Sequence, residues 1–215
     1  MVFISFGYLA INKNNYKFTS DNIIENTSNY TLRANYPITA NKLLNNKMKL
    51  MLTSNIKQFK EVVKENIKLE EFKDRVYDFR SDFDDYLYND IVSFHFTVLM
   101  FTGGAHYIRS DYMYHYNYKK NKEVYLKDFF KNSDYLTILS KLSREILNNN
   151  SKEFNLNLDP KWIKEGTNPI DSNFEIFYFN EEGLNIIFPP YQVGPWSDGE
   201  IPITIPYSKL KGLLK

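Results

Sequence analysis

The chain has 215 residues, 43% of them hydrophobic and 17% aromatic, with 17 tyrosines and 17 phenylalanines, enough apolar material for one large domain or two small, closely packed ones. A formal net charge of +1, with no long Lys/Arg run, excludes a stripe that tracks nucleic-acid phosphates and a strongly basic membrane surface. The chain has no cysteine, which excludes a disulfide framework and thiolate metal centres, and no stretch is long and apolar enough to span a bilayer.

The apolar N-terminus, residues 1–11, reads as a first strand or as the tail of a signal or anchor segment. Residues 12–28 are polar and read as loop around a short strand at 16–18. Tyr30-Thr-Leu-Arg-Ala-Asn-Tyr36 alternates as a strand does, and Pro37 should end it. Over residues 40–68, Leu44, Met48, Met51, Leu52, Ile56, Phe59, Val63 and Ile67 recur at spacings of three and four, which predicts a long amphipathic helix seeking a flat apolar floor.

Tyr77, Phe79 and Phe83 alternate with Asp78, Arg80, Asp82 and Asp84, a strand. Residues 91–101 are a second strand, with Val92, Phe94, Phe96, Val98 and Met100 on one face and Ser93, His95, Thr97 and Leu99 on the other. Gly103-Gly104 breaks it, and residues 107–118 return with Tyr112, Tyr114, Tyr116 and Tyr118 on one face, an antiparallel hairpin with its tip at 103–106. A short strand at 123–126 follows. A second amphipathic helix over 134–148 is striped by Leu136, Leu139, Leu142, Ile146 and Leu147. After a loop with Trp162 comes a hairpin, 174–179 and 184–188, turning at Gly183; a strand at 201–205 and a terminal helix at 207–214 close the chain. The fold class is α+β: antiparallel sheets with a long helix and a second helix packed on their faces.

Five of the eight prolines lie in the run Phe188-Pro-Pro-Tyr-Gln-Val-Gly-Pro-Trp-Ser-Asp-Gly-Glu-Ile-Pro-Ile-Thr-Ile-Pro-Tyr207. Proline removes a backbone donor and fixes φ, so the run is a shaped loop followed by a short strand. Rigid loops rich in aromatics suit recognition, and Trp196 between Pro195 and Ser197 is placed as an anchor would be.

Several segments taken in order carry a resemblance: the Tyr-Pro strand at 30–38 with the long helix after it, then Phe101-Thr-Gly-Gly-Ala-His106, then Leu126-Lys-Asp-Phe-Phe130. They continue with Phe177-Tyr-Phe-Asn-Glu-Glu-Gly-Leu184, Pro190-Tyr-Gln-Val-Gly-Pro195 and Ile203-Thr-Ile-Pro-Tyr-Ser-Lys-Leu-Lys211. The chain resembles the paired extracytoplasmic domains found in the lysozyme-sensing anti-sigma factor RsiV and ahead of the catalytic domain of the peptidoglycan deacetylase PdaC. It departs from them at Tyr107, where the family has a small residue or proline, and at Trp196-Ser-Asp-Gly199, where an alanine-rich segment is usual. The resemblance implies two modules, residues 1–88 and 89–215, the second carrying the Gly-Gly-Ala-His and Ile-Pro-Tyr motifs. It also implies an extracytoplasmic location (periplasmic, secreted or surface-anchored), with a signal or anchor lost upstream of Met1.

No Gly-x-Ser-x-Gly, His-Glu-x-x-His or P-loop motif occurs. His95 and His115 fall opposite each other if the hairpin is centred near residue 105, and two imidazoles on one face could begin a zinc site, but the remaining ligands are missing. His106 after two glycines is either a ligand contact or a residue bonding its own loop. Asp78, Asp82 and Asp84 read as a solvated face; with Asp85 and Asp90 they are also the acidic face a receptor for basic lysozyme would need. The expected function is therefore a non-catalytic binding module for a lysozyme-like protein ligand, with a peptidoglycan-binding or peptidoglycan-processing enzyme or accessory domain as the alternative. The candidate ligand-binding residues are Gly103, Gly104, His106, Tyr107, Tyr191, Trp196 and Asp198. No catalytic residue, metal site, cofactor or nucleic-acid partner is expected.

Overall fold

The computed structural model describes residues 10–11, 16–72, 75–153 and 158–215. In chain order these form β1 (Ala10–Ile11), β2 (Lys17–Asn26), β3 (Tyr30–Ile38), α1 (Lys42–Asn66), β4 (Tyr77–Tyr88), β5 (Ile91–Phe101), β6 (Ile108–Asn117) and β7 (Lys122–Glu123). They continue with α2 (Tyr135–Glu153), α3 (Pro160–Gly166), β8 (Phe177–Phe179), β9 (Gly183–Phe188), β10 (Ile201–Pro206) and α4 (Tyr207–Leu210), and with 3-10 turns at Leu126–Phe129, Asp171–Phe174 and Trp196–Asp198. One sheet has the order β1-β2-β3-β4-β5-β6-β7 and the other β10-β9-β8. The α+β class read from the sequence is the class observed.

The described chain forms two compact units, neither contiguous in sequence. One takes the chain up to Asp85 together with Phe94–Tyr114; the other takes Tyr86–Ser93 and His115–Lys215. The chain passes between them inside β4, β5 and β6.

In the first unit β2 and β3 are antiparallel, but β3 and β4 run parallel, with Tyr30 opposite Tyr77 and Ala34 opposite Ser81. A parallel pair needs a long crossover, and α1 is that crossover. Asn41 caps it by accepting from the Leu44 amide at 3.0 Å. Its predicted stripe, Leu44, Met48, Leu52, Ile56, Phe59 and Val63, is buried. Phe59 packs on Phe79 at 5.6 Å and on Tyr30 at 5.7 Å, ring centre to ring centre. Tyr112 donates to Asn55 on α1 at 3.1 Å and Lys47 lies over the Tyr114 ring, so this part of the tyrosine stripe is turned to the helix.

The second unit is a three-stranded antiparallel sheet with α2, α3 and α4, closed over a core that includes Leu139, Leu147, Phe174, Leu184, Ile186, Phe188 and Ile205. Gly183 sits so close to the neighbouring strand that a Cβ there would lie 2.1 Å from the Ile205 carbonyl oxygen, which only glycine tolerates.

Local differences from the sequence expectations have physical causes. Residues 17–26 are a ten-residue strand rather than loop; few of its positions are fully buried, so its sequence carries little apolar alternation. Pro37 lies inside β3 instead of ending it. The β4 pairing covers only Tyr30–Ala34, so beyond it no β4 carbonyl awaits an N–H from β3 and proline is accommodated. Trp162 lies on α3 rather than in a loop, with Asp159 capping and Pro160 at the first turn. A 3-10 turn takes the place of the strand expected at 123–126 beyond Glu123, and α4 stops at Leu210. The expected first strand is described only at β1; the rest of it lies outside the described residues.

Candidate functional site

The hairpin tip and the proline-rich loop, both singled out from sequence, belong to different units and are built differently. At the tip Gly103 has φ +92° and is buried, with the side chains of Phe72, Arg75 and Tyr77 around it. The Arg75 guanidinium donates to the Gly103 carbonyl and sits 4.7 Å over the Phe72 ring. Gly104 and His106 are exposed, and His106 Nδ1 bonds the Tyr107 carbonyl at 2.8 Å. Tyr107 donates its hydroxyl to Asp78 at 2.9 Å and packs on Phe101 at 5.6 Å.

Behind the tip, in the same unit, lies a polar network that sequence spacing does not reveal. His95 Nε2 meets Asp111 Oδ1 at 2.9 Å, both side chains 2% exposed. Arg109 grips the same carboxylate with Nε at 2.9 Å and Nη2 at 2.8 Å, and also reaches Thr97 at 3.2 Å. Burial pushes the Asp111 carboxyl up, but the His95 and Arg109 hydrogen bonds and the Arg109 charge outweigh it and hold the group below the usual carboxylate range. His95 and Asp111 are among the imidazole and carboxylate groups placed closely enough to serve as metal donors. Arg109 already neutralises the carboxylate, so a cation held by this pair would compete with the guanidinium.

His115 does not join His95, and the suspected two-histidine site does not form. It belongs to the second unit, where Nδ1 bonds Ser93 Oγ at 2.8 Å and the ring stacks on Phe177 at 3.9 Å. Burial alone pushes its pKa down to about 3.

The proline-rich loop presents a row of aromatics. Tyr191 is 55% exposed and has φ +72°, a backbone setting that disfavours any side chain. It lies 6.4 Å from Trp162 of α3 and 5.9 Å from Trp196, both half-buried. The loop beneath is fixed: the Tyr191 amide bonds the Gly194 carbonyl at 2.9 Å, and Gln192 Nε2 donates to the Gly166 and Asn173 carbonyls at 2.8 and 2.9 Å. Val193 is fully buried, and Asp198 is half-buried beside Ser197 at 3.1 Å. The loop therefore joins Tyr191, Trp196 and Asp198 in one unit, with Trp162 added by α3, while Gly103, Gly104, His106 and Tyr107 are joined in the other.

Of the carboxylates expected to make an acidic face, Asp78, Asp82 and Asp90 have partners. Asp78 accepts from Thr31, Tyr107 and Arg80, Asp82 from Asn35 and the Phe83 amide, and Asp90 pairs with Lys119 at 2.8 Å. Asp85 is raised by burial and by the neighbouring Asp84. Salt bridges thus offset the charges of Asp78 and Asp90, while Asp82 is held by neutral donors and keeps its charge.

Two family models match the chain: one described as deacetylase PdaC over residues 23–108, and one described as a protein of unknown function, DUF3298, over residues 127–208. The peptidoglycan-N-acetylmuramic acid deacetylase PdaC of Bacillus subtilis is 29% identical over 191 residues, covering 88% of this chain and 39% of its own length. The chain thus spans well under half of that relative. Solved DUF3298 structures from Bacteroides fragilis (TM-score 0.62, 15% identity, 95% of this chain and 96% of that one) and Pseudomonas aeruginosa (TM-score 0.66, 12% identity, 91% and 94%) share the fold. The chain is homologous to the PdaC domain and has DUF3298 structural relatives; these matches carry no tie to the anti-sigma factor or to lysozyme.

The expectation of a chain without catalytic function is overturned. The absence of a local sequence motif was its basis, yet the relative that aligns over most of the chain is named for a deacetylase activity. The structure also gathers histidine and carboxylate donors that lie far apart in sequence, at positions 95 and 111. Tertiary pairing, not a linear motif, brings such groups together.

Proposed function

We propose that this chain serves peptidoglycan modification in the bacterial envelope, as a glycan-engaging part of a deacetylase-type system, and that it works outside the cytoplasm, where that polymer is. The observation that carries this is the alignment with a peptidoglycan deacetylase over 88% of the chain. The aromatic row Trp162–Tyr191–Trp196 supplies the physical means. Pyranose rings present flat C–H faces that pack on aromatic π faces, and a preformed row loses little entropy on binding. The strained Tyr191 backbone, held by its loop, supports a functional role, since strain persists where the surroundings over-determine it.

Co-sedimentation with purified peptidoglycan sacculi tests the proposal, with tryptophan fluorescence during titration by chitotetraose as the second readout. The protein is expected to pellet with sacculi and its fluorescence to shift with the sugar, and Trp196→Ala to weaken both about tenfold. Absence of sedimentation, or a Trp196→Ala protein that binds as well as the parent, overturns it. Acetate release from N-acetylated glycan strands by the full-length protein, lost together with binding in the variant, reports on the processing step.

A further inference from the structure

The near-neutral total charge conceals an uneven spread along the chain. Between Glu25 and Glu61 there is no carboxylate, while Arg33, Lys42, Lys47, Lys49, Lys57 and Lys60 all fall there. Most of these cations are on α1, which carries six lysines and two glutamates. Helical spacing separates them, so they make a face of the helix and not a run in the sequence.

The two ends of that face differ. Towards and just past the C-terminal end the lysines meet acids: Lys57 lies 3.9 Å from Glu61, Lys60 2.7 Å from Glu25 and Lys68 2.7 Å from Glu65. That is the pattern of a helix face built for water. The first turn instead holds Lys42 and no acid, at the end where unpaired backbone N–H groups already make the potential positive. Leu43 and Leu50 are two helical turns apart, so they share one line of the helix, on the side away from the buried Leu44, Met48 and Leu52. They are 80% and 67% exposed, the two most exposed large hydrophobic side chains among the described residues. Lys47 and Lys49 stand on either flank of this line, each Nζ 5.8 Å from the centre of a ring, Tyr114 on β6 and Tyr36 on β3. A π contact leaves the positive charge in place. Further along the outer side, Thr53, Ile56, Lys57, Lys60, Glu61 and Lys64 line an open cleft of about 370 Å³, room for a headgroup beside three ammonium groups.

A soluble polyanion would satisfy the lysines and leave the leucines in water. An anionic phospholipid bilayer satisfies both, with hydrocarbon for the leucines and phosphates for the lysines. Lysine stems are long enough for the ammonium groups to stay at the phosphates while the shorter leucines sit deeper.

We propose that the N-terminal half of α1 is a contact for an anionic bilayer, with Leu43 and Leu50 among the lipids and Lys42, Lys47 and Lys49 on the headgroup phosphates. The attachment lies on the surface and is reversible, because a few side chains hold far less tightly than a spanning helix. It goes beyond the glycan reading, to which it adds a means of holding the first unit against a membrane, and it uses no residue of the aromatic row.

The test is co-sedimentation of the full chain with vesicles of phosphatidylglycerol or of phosphatidylcholine. The protein is expected to pellet with the first and not with the second, and less so as salt is raised. Leu43→Ser with Leu50→Ser, and separately Lys42→Gln with Lys49→Gln, should each raise the half-saturating lipid concentration about tenfold. All four side chains are exposed, so both variants should melt with the parent. The chain has no cysteine, so Asn46→Cys, on the exposed face between the two leucines, accepts a single environment-sensitive dye. Its emission should move to shorter wavelength on phosphatidylglycerol vesicles alone. No vesicle binding, equal binding to the two lipids, or an unmoved dye overturns the proposal. Binding that survives the leucine change and is lost with the lysine change also overturns it, and marks a face for soluble polyanions. Sacculi purified free of lipid should sediment the leucine variant as well as the parent. Failure of the parent to sediment with sacculi would count against the aromatic row and not against this face.

Discussion

His115 shows how a single residue can set acid sensitivity. Its ring is 5% exposed, stacked on Phe177, and no hydrogen-bond partner reaches Nε2. A proton there would be charged and buried, so the folded pKa falls to about 3 from an unfolded value near 6.5. Above pH 6.5 both states hold the neutral ring and the residue causes no pH dependence. As pH falls from 6.5 towards 3, the unfolded chain takes up a proton that the folded one refuses, and stability drops by about 1.4 kcal/mol per pH unit. His115→Phe should flatten thermal stability between pH 6.5 and 5 relative to the parent, by about 2 kcal/mol over that window; parallel slopes in melts at matched salt would refute this. The two tip glycines make a second pair of contrasting predictions. Gly103→Ala places a Cβ on a residue at φ +92° and should cost about 1–2 kcal/mol. Gly104→Ala meets only a carbonyl oxygen 4.0 Å away and should be close to neutral in the same denaturant melts.

At the scale of elements, α1 carries the parallel β3–β4 connection, and its start depends on a short polar lock. Asn41 accepts from Leu44, while Thr39 and Asn45 bond each other just upstream at 2.8 Å. Asn41→Ala leaves a helix donor without its cap and should cost about 1 kcal/mol, read as a lower urea midpoint at unchanged slope. In the other unit Leu139 of α2 is fully buried in the core, and Leu139→Ala should cost about 3 kcal/mol, because the cavity it leaves adds to the lost burial. These elements were legible in the sequence. The α1 stripe and the β5 alternation follow from helix and strand periods, which need no knowledge of the partner surface. α3 was legible in principle too, since Asp159 and Pro160 form a standard helix start, but a seven-residue helix has too few turns to show a period. β2 was not legible, because its polar residues gain their strand state from pairing with β3 and not from their own pattern.

For the molecule as a whole, the chain enters each compact unit more than once, through β4, β5 and β6. Both tryptophans lie in the unit that contains His115–Lys215, whereas Phe59 is fully buried in the other. Because neither unit is contiguous, loosening one should be felt through the shared strands. Phe59→Ala is expected to lower the denaturation midpoint reported by tryptophan fluorescence, with a cost of about 3–4 kcal/mol. An unchanged midpoint would mean that the units unfold separately.

The sequence by itself determined the α+β class, the long helix, the hairpin about Gly103-Gly104 and the aromatic character of the proline-rich loop. These rest on periodicity, glycine and proline chemistry and composition, which act within a few residues. Only the tertiary structure decided which polar groups meet. His95 finds Asp111, not His115; Arg33 finds itself beside Arg80; and Trp162 arrives beside Tyr191 from a separate helix. Each of these depends on strand register or on packing between distant segments. A shift of two residues in a hairpin exchanges every cross-strand partner while leaving the pattern of buried and exposed positions unchanged.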